Sequence, residues 1–114
     1  MGLPKILFVC RSNRHRSKTA EAIYKEDSRF EVKSAGVSTL ADDQMNPILM
    51  KWADYIFVME RFHQEKLKEF FPEDYDDNKV FNLEIEDEYD YMDSKLIATL
   101  HSKFEDAFFL FIEN

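Results

Sequence analysis

Three side chains that together suit chemistry on a phosphate ester lie within eight consecutive residues near the start of the chain. Cys10 is the only cysteine, and Arg16 and Ser17 follow it after five intervening residues. A thiolate is a strong nucleophile, a guanidinium binds two phosphate oxygens at once, and a hydroxyl donates a hydrogen bond to a departing sulfur. The spacing therefore predicts attack of Cys10 on phosphorus, with Arg16 holding the phosphoryl oxygens.

The segments on either side of Cys10 predict a loop between a strand and a helix. The apolar residues 6–9 are typical of a buried strand, and residues 18–27 show helical spacing of apolar side chains. In such a loop, backbone N–H groups converge on one anion, and the helix adds the positive end of its dipole. Asn13 suits this loop, because asparagine tolerates the left-handed backbone that tight turns require.

Cys10 also has a purely structural interpretation. Free cysteines are usually small buried hydrophobes, and arginines are usually surface charges. A cysteine placed before Arg16 and Ser17 at this spacing is weak evidence by itself. Its position between a predicted strand and a predicted helix is what favours catalysis or anion binding.

Strand and helix patterns alternate along the chain. Strands are predicted over residues 6–9, 30–33, 55–59 and 80–83, helices over residues 18–27, 47–52, 62–71 and 93–111, and a turn at residues 34–36. Parallel strands need helical crossovers. The order therefore predicts a single α/β domain, residues 1–114, with a flavodoxin-like three-layer sandwich around a four-stranded parallel sheet. Ligands of such sheets bind at the carboxyl ends of the strands, and Cys10 ends the first strand, which is typically central.

Composition excludes several classes of function. The 114 residues carry a formal net charge of −8, which argues against general binding of nucleic acid, whose phosphates need a broad basic face. No apolar stretch reaches membrane-spanning length, and the start of the chain lacks the layout of a signal peptide. With one cysteine the chain forms no internal disulfide, so a cytoplasmic location is expected.

Charge is distributed unevenly. Residues 1–18 contain five basic side chains and no acidic one, whereas residues 73–93 contain ten acidic side chains and one lysine. The acidic stretch is expected to be mostly a solvated surface. The basic cluster adds a local positive field around the lone cysteine in a chain that is otherwise anionic.

Several stretches of the chain resemble the low-molecular-weight protein tyrosine phosphatases. The family's loop of cysteine, five residues, arginine and serine is matched by Cys10, Asn13, Arg16 and Ser17, with Thr19-Ala20-Glu21 continuing it. The family's turn after the second strand, whose serine supports the loop asparagine, is matched by Ser34-Ala35-Gly36. Its third strand resembles residues 53–60, and its acid loop resembles Ile85-Glu86-Asp87 followed by Tyr89. The resemblance runs almost end to end.

The resemblance implies a two-step hydrolysis of phosphate monoesters, with phosphotyrosine as the substrate class. Cys10 attacks phosphorus and forms a thiophosphoryl enzyme, a general acid protonates the leaving phenolate, and water hydrolyses the intermediate. Asp87 is the candidate acid and later base, with Asp90 and Asp93 as alternatives. The implied activity needs no metal and no cofactor. Its partner is a phosphorylated protein or a small phosphate monoester.

Further residues receive roles from the same resemblance. The remaining loop residues are expected to contact the substrate: Arg11, Ser12, Asn13, Arg14, His15 and Ser17. Tyr89 is expected either to wall the pocket and stack on a substrate ring, or to pack within its own loop. Ser34 is expected to support the loop through Asn13. No nucleic-acid or membrane partner is expected, and the chain is expected to be a monomer or a weak dimer.

The chain departs from the family at several positions. Glu88 stands where the family has proline after its acid, Ser12 replaces a loop glycine, and His15 replaces a second cysteine. Arg11 and Arg14 stand where apolar residues often line the pocket rim. These two arginines either recruit a more anionic substrate or neutralise neighbouring acids.

Three other functions remain open. A catalytically weak module that binds phosphate or a phosphoprotein fits the short segment between Gly36 and Ala53, which predicts an open or shallow pocket. An arsenate reductase shares the fold and loop, but without further cysteines it needs an external thiol. A flavodoxin-like electron carrier is disfavoured, because no Gly-rich or hydroxyl-rich flavin phosphate loop is present. Loss of turnover in Cys10→Ser separates an enzyme from a binding module.

Overall fold

The computed structural model describes residues 2–113, so residues 1 and 114 of the predicted domain lie outside the described part. Its strands are β1 Lys5–Cys10, β2 Glu31–Gly36, β3 Tyr55–Val58 and β4 Val80–Asn82. Its helices are α1 Arg16–Tyr24, α2 Pro47–Trp52, α3 Arg61–Phe70 and α4 Ser94–Phe108, with a 3-10 turn at Asp77–Lys79 and a π-helical turn at Phe109–Glu113. The predicted alternation of strands and helices is confirmed.

The strands form a four-stranded parallel sheet in the order β2-β1-β3-β4. This is the predicted flavodoxin-like arrangement, with β1 as an inner strand. Helices α1 and α4 cover one face of the sheet and α2 and α3 cover the other, which makes three layers. All carboxyl ends lie at one edge, where Cys10 pairs with Gly36 and Val9 pairs with Val58. The loops after the strands therefore meet around Cys10.

Side chains of β1 alternate between the two faces of the sheet, and this alternation decides where Cys10 points. Ile6, Phe8 and Cys10 pack beneath α1 and α4, whereas Leu7 and Val9 pack beneath α2 and α3. All of them are at most 3% exposed. Cys10 therefore lies on the face of the sheet that α1 covers, and the loop after it leads directly into that helix.

Three phenylalanine side chains form a buried cluster at the centre of the sheet. Phe8, Phe57 and Phe104 are fully buried, and their ring centroids lie 4.9–5.9 Å apart. Aromatic pairs of this kind contribute about 0.5–1.5 kcal/mol each beyond the burial of their area. The cluster fastens α4 to β1 and β3, and thereby fixes one end of the loop that carries Asp87.

Two boundaries near Cys10 differ from the sequence prediction. Residues 34–36 are predicted as a turn but are the last residues of β2, because they pair with the last three residues of β1 and are buried. The helix predicted from residue 18 begins at Arg16. In both places the pairing and burial around Cys10 outweigh the local preferences of polar residues for turns.

The end of the chain also differs from the prediction of a helix to residue 111. The α-helix ends at Phe108, and the π-helical turn that follows places Phe111 on Phe81 with ring centroids 4.9 Å apart. The spacing of apolar residues in the sequence does not distinguish an α-helical turn from a π-helical turn, because both place the aromatic side chains along one face. No helix in the described part of the chain is long and apolar enough to cross a membrane.

A charged cluster fastens α4 to the segment before β2. Arg29 donates to Asp27 and to both carboxylate oxygens of Glu105 at 2.8–3.2 Å. Tyr24 donates to Glu105 at 2.9 Å, and Arg29 lies 4.9 Å from the ring centroid of Phe108. Hydrogen bonds from Arg29 lower the pKa of Asp27 and the pKa of Glu105.

We expect this cluster to make the free energy of unfolding fall in acid. Both carboxyl pKa values are lower in the folded state than in the unfolded state, so their stabilisation is fully present above the unfolded values of about 4 and is lost as the pH falls through the lower, folded values. Arg29→Gln should lower the free energy of unfolding at neutral pH by about 1–2 kcal/mol, after discounting for partial exposure, and should flatten the acid limb.

Urea unfolding at a series of pH values measures this effect. Arg61→Gln is the matched control, because that side chain is 85% exposed and makes only a long contact to Glu65. Equal loss of stability in acid for the wild type and Arg29→Gln would contradict the assignment.

Candidate active site

A backbone N–H of the following loop and a hydroxyl of the first turn of α1 approach the sulfur of Cys10. The Sγ atom lies 2.9 Å from the Ser17 hydroxyl oxygen and 3.3 Å from the backbone nitrogen of Asn13. Asn13 has a φ of 55°, the left-handed region expected at this position, and this turn aims its N–H at the sulfur. Both donors are in place for a sulfur that carries negative charge.

A chain of hydrogen bonds orients the Ser17 hydroxyl toward the sulfur. The side-chain amide of Asn13 donates to Ser17 Oγ at 2.8 Å and to Ser34 Oγ at 2.9 Å. Ser34 in turn donates to Glu21 at 2.6 Å. Ser17 Oγ accepts from Asn13, and the Ala35 carbonyl is 3.4 Å away, so the hydroxyl proton is available to the sulfur at 2.9 Å. Ser34 thus contacts Asn13, as the resemblance implies.

The segment after β2 turns the backbone of the Cys10 loop so that its N–H groups face inward. Three N–H groups of residues 37–42 donate to the carbonyls of Cys10, Arg11 and Ser12 at 2.9–3.1 Å. In a planar trans peptide the next N–H points away from the carbonyl. The geometry therefore turns the N–H groups of residues 11–13 away from residues 37–42, and that of Asn13 contacts the sulfur. Successive inward N–H groups form an anion-binding nest.

Gly36 permits this close approach of the two segments. A Cβ atom at position 36 would lie 2.6 Å from Ala41 Cβ and 2.7 Å from the carbonyl oxygen of Arg11. Carbon atoms that are not bonded do not approach so closely without displacing one another. Only glycine therefore fits between the Cys10 loop and residues 37–42.

Arg16 begins α1, and its side chain is only 2% exposed. Its Nη1 donates to Glu60 Oε2 at 2.6 Å and to the carbonyl of Ile85 at 2.7 Å. These two bonds occupy Nη1. The other two nitrogens, Nε and Nη2, remain as a planar pair of donors that can bind two phosphate oxygens. Asp87 Oδ1 lies 3.8 Å from Nε, so the candidate acid stands at the same edge.

Sequence reasoning assigned no role to Glu60 or to the carbonyl of Ile85. Glu60 follows β3 within two residues, at the edge of the sheet where functional side chains of parallel sheets gather, and that position was an available signal. A backbone carbonyl such as that of Ile85 leaves no signal in the sequence. Both groups hold Arg16 in position, so they act on the substrate through Arg16.

His63 is buried beside Glu60. Its Nδ1 accepts the Glu60 N–H at 3.0 Å, and its Nε2 lies 3.9 Å from Glu60 Oε2. Burial, and to a smaller extent the positive charge of Arg16, lowers the pKa of His63 to about 4. The ring is therefore neutral above about pH 5. It orients Glu60 and contributes no charge change near neutral pH.

A cleft of about 130 Å³ opens over these groups. Its lining residues are Cys10, Arg11, Ser12, Arg14, His15, Arg16 and Asp87. The structure thus brings together all three predicted catalytic residues. Asn13 and Ser17, expected to contact the substrate, instead lie buried against the sulfur and outside this lining. The Ser17 hydroxyl contacts the sulfur, and the Asn13 side chain donates to that hydroxyl, so both side chains support Cys10.

Tyr89 does not line this cleft, so the expectation that it walls the pocket is wrong. Its ring packs against the core beside α4, and it lines a separate concavity with Glu88, Thr99 and Lys103. The adjacent Glu88 carboxylate raises the pKa of Tyr89. An aromatic ring gains more by covering the apolar core than by entering a cleft lined with charged groups. The loop-packing alternative describes its position.

Asp87 alone among the three candidate acids lines the cleft. Asp93 caps α4, where its carboxylate accepts the Lys95 N–H at 2.7 Å. Asp90 is exposed, and its carbonyl accepts the Asp93 N–H at 3.1 Å. The geometry therefore favours Asp87 as the acid.

We expect Asp87→Asn to lower kcat on a phosphotyrosyl peptide by about 10²- to 10³-fold, because general acid catalysis is worth that much for a poor leaving group. The loss should be smaller with para-nitrophenyl phosphate, whose leaving nitrophenolate needs little protonation. The bell-shaped pH profile expected on the acidic side of neutral should also lose its alkaline limb. Asp90→Asn, on the same loop but outside the cleft, is the matched control. An unchanged kcat in Asp87→Asn would remove Asp87 from the mechanism.

The two rim arginines have different surroundings. Arg14 Nε lies 3.3 Å from Asp42 Oδ1, so this arginine neutralises a neighbouring acid. No described carboxylate lies within 4.0 Å of Arg11, which is exposed at the edge of the cleft. His15, also exposed, precedes α1 at the N-cap position and makes no side-chain capping bond. The structure thus supports neutralisation of a neighbouring acid for Arg14, whereas recruitment of an anionic substrate by Arg11 stays a prediction.

Comparison with known proteins gives one match in sequence. Residues 5–50 match the family model described as low molecular weight phosphotyrosine protein phosphatase. This segment contains β1, the whole Cys10 loop, α1 and β2. No curated protein sequence matches the chain.

Solved structures match over most of the chain. The tyrosine phosphatase Wzb from Escherichia coli K30, in complex with phosphate, is 22% identical, with a TM-score of 0.72 over 92% of this chain and 96% of its own. Wzb from Vibrio vulnificus, in complex with benzylphosphonate, is 24% identical, with a TM-score of 0.70 over 93% and 95% of the two chains. YwlE arginine phosphatase from Geobacillus stearothermophilus is 24% identical, with a TM-score of 0.64 over 93% and 96%.

These matches confirm the family resemblance, in sequence over residues 5–50 and in fold over most of the chain. The predicted fold class is confirmed with it. The segment that carries the Cys10 loop is the one that matches in sequence, and it indicates a cysteine-based phosphatase hydrolase.

Proposed function

We propose that this chain, a cysteine-based phosphatase of the low-molecular-weight type, hydrolyses phosphorylated side chains of proteins, with phosphotyrosine as the preferred ester. The observation that carries the proposal is the meeting of Cys10, Arg16 and Asp87 at one small cleft. A nucleophile, a fork for phosphate oxygens and an acid within one space are the parts that phosphoryl transfer to sulfur needs.

In the first step the Cys10 thiolate attacks phosphorus. The S–P bond forms as the P–O bond to the leaving group breaks. Arg16 Nε and Nη2 bind two of the non-bridging oxygens, and the inward N–H groups of the loop bind the charge that develops on them. Asp87 gives its proton to the leaving oxygen, so that the leaving group departs as a neutral hydroxyl compound.

In the second step water hydrolyses the phosphoryl group on Cys10. Asp87, now a carboxylate, takes a proton from water as the water oxygen attacks phosphorus and the S–P bond breaks. The sulfur leaves as a thiolate that accepts a hydrogen bond from the Ser17 hydroxyl, whose oxygen lies 2.9 Å away. One water is consumed, inorganic phosphate is released, and both catalytic side chains return to their starting protonation.

The proposal also covers the compartment, the partner and the oligomeric state of the chain. A single, buried cysteine supports a reducing compartment, for which the cytoplasm is the natural choice. We propose a phosphorylated protein as the partner and a monomer or weak dimer as the acting form. None of the proposed steps uses a metal ion.

Hydrolysis of para-nitrophenyl phosphate in the presence of a chelator tests the proposal. We expect turnover under these conditions, and acid quenching during turnover should yield a peptide containing Cys10 that carries one phosphoryl group. A phosphotyrosyl peptide should be hydrolysed with a higher kcat/KM than a phosphoarginyl peptide, whose cationic leaving group meets Arg11. Absence of turnover, with phosphate or vanadate still raising the melting temperature, would replace the enzyme with an anion-binding module.

A further inference from the structure

We propose that this site selects phosphorylated protein segments with acidic side chains beside the phosphorylated residue, and that Arg11 binds the flanking carboxylate. The inference rests on the proposed function and names the substrate class of the same cleft. It follows from the size of the cleft, the chemistry of its lining and the unequal pairing of its two rim arginines.

The cleft is smaller than a site that encloses a whole small molecule. Its volume is about 130 Å³, whereas sites that enclose a small molecule usually measure about 300–1,000 Å³. The rest of the substrate therefore lies over the rim and contacts exposed side chains. Such a site suits a segment of protein chain, which brings neighbouring residues to the rim, better than a free small ester.

The lining of the cleft offers charge rather than an apolar wall. Apart from Cys10 its members are polar or charged, and no aliphatic, phenyl or phenol side chain belongs to it in the described part of the chain. Tyr89, the candidate wall, packs against the core instead. Discrimination between phosphorylated segments therefore depends mainly on charges at the rim.

Arg11 is the rim charge that is available to a substrate. Arg14 has a partner in Asp42 at 3.3 Å, and Arg16 is held by Glu60 at 2.6 Å. Arg11 is exposed, lines the cleft, and has no described carboxylate within 4.0 Å. An acidic side chain next to the phosphorylated residue would give Arg11 a partner without breaking an existing pair.

The acidic side chains of the loop after β4, residues 83–93, do not neutralise the positive charge of Arg11. Of its acids only Asp87 lines the cleft, and it already lies 3.8 Å from Arg16 Nε. Glu86 and Glu88 line the separate concavity that contains Lys103. Glu86 and Glu88 therefore lie outside the cleft that Arg11 lines, and the cleft keeps room for the carboxylate of a substrate.

The test compares three phosphotyrosyl peptides that differ only in the residues on both sides of the phosphotyrosine, which are Glu, Gln or Lys. We expect wild-type kcat/KM to fall in the order Glu, Gln, Lys, with about a 1.5- to fivefold advantage of Glu over Gln, the range for exposed ion pairs. Raising the ionic strength from about 0.01 M to about 1 M shortens the screening length from about 30 Å to about 3 Å and should remove most of the preference.

Arg11→Gln should bring the ratio of kcat/KM for the Glu and Gln peptides close to one, whereas Arg11→Lys should keep part of it. Lys25→Gln, the same charge change at the exposed far end of α1, is the matched control and should leave the ratio unchanged. The ratio is the measured quantity, so a general loss of activity in a variant does not imitate the result. The salt dependence of the wild type provides a measurement that needs no variant.

The outcomes separate this inference from the proposed function. Equal hydrolysis of the three peptides, a preference for Lys, or a Glu preference that survives Arg11→Gln would overturn the role of Arg11 and leave the phosphatase intact. Failure of the wild type to hydrolyse any of the peptides or para-nitrophenyl phosphate would overturn the proposed function, and this inference with it. Hydrolysis of para-nitrophenyl phosphate alone would overturn the assignment of a protein substrate.

Discussion

Cys10→Ser is expected to lower turnover of para-nitrophenyl phosphate at least about 10⁴-fold, as removal of a catalytic nucleophile does in enzymes whose catalytic residues act together. A serine hydroxyl is far less ionised than a thiol near neutral pH and is a much weaker nucleophile. An alkoxide is also a poorer leaving group than a thiolate in the second step. The loss corresponds to about 5 kcal/mol of transition-state stabilisation.

The same variant should still bind phosphate, which separates loss of chemistry from loss of the site. Serine is slightly smaller than cysteine, and the N–H groups of residues 11–13 remain turned inward by residues 37–42. Phosphate or vanadate should therefore raise the melting temperature of Cys10→Ser as well as that of the wild type. Turnover within tenfold of the wild type would show that another group is the nucleophile.

Arg16→Lys is expected to lower kcat/KM about 10³-fold, in the range found when a donor aimed at transition-state charge is removed. Lysine keeps the positive charge but has one nitrogen, so it cannot contact Glu60 and the Ile85 carbonyl while offering two donors to phosphate. The variant therefore keeps the charge of Arg16 but loses its planar pair of hydrogen-bond donors. The assay is hydrolysis of para-nitrophenyl phosphate over a range of substrate concentrations.

Two comparisons make the Arg16 result specific. Arg61→Lys makes the same exchange on a side chain that is 85% exposed and outside the cleft, and it should leave kcat/KM unchanged. Melting temperatures show whether Arg16→Lys remains folded, since Arg16 also joins α1 to the N-cap of α3 and to the segment after β4. A folded Arg16→Lys protein with a loss below tenfold would mean that Arg16 is a structural cation.

The sequence by itself determined the fold class and the centre of the site. Apolar runs of strand length that alternate with helical spacing specify a parallel α/β sheet, since each signal is local and repeats along the chain. Cys10, Asn13, Arg16 and Ser17 lie within eight consecutive residues, so their proximity follows from covalent connection. The left-handed conformation of Asn13 was predictable for the same reason, because it depends on one residue type in one tight turn.

Only the tertiary structure decided which distant groups complete the site. Glu60 and the Ile85 carbonyl reach Arg16 from 44 and 69 residues away in the chain. The packing of Tyr89 on the core and the pairing of Arg14 with Asp42 likewise depend on how separate loops meet at the edge of the sheet. Contacts between distant segments depend on register and burial, which no local pattern encodes. Arg11 therefore differs from Arg14 only in its surroundings after folding.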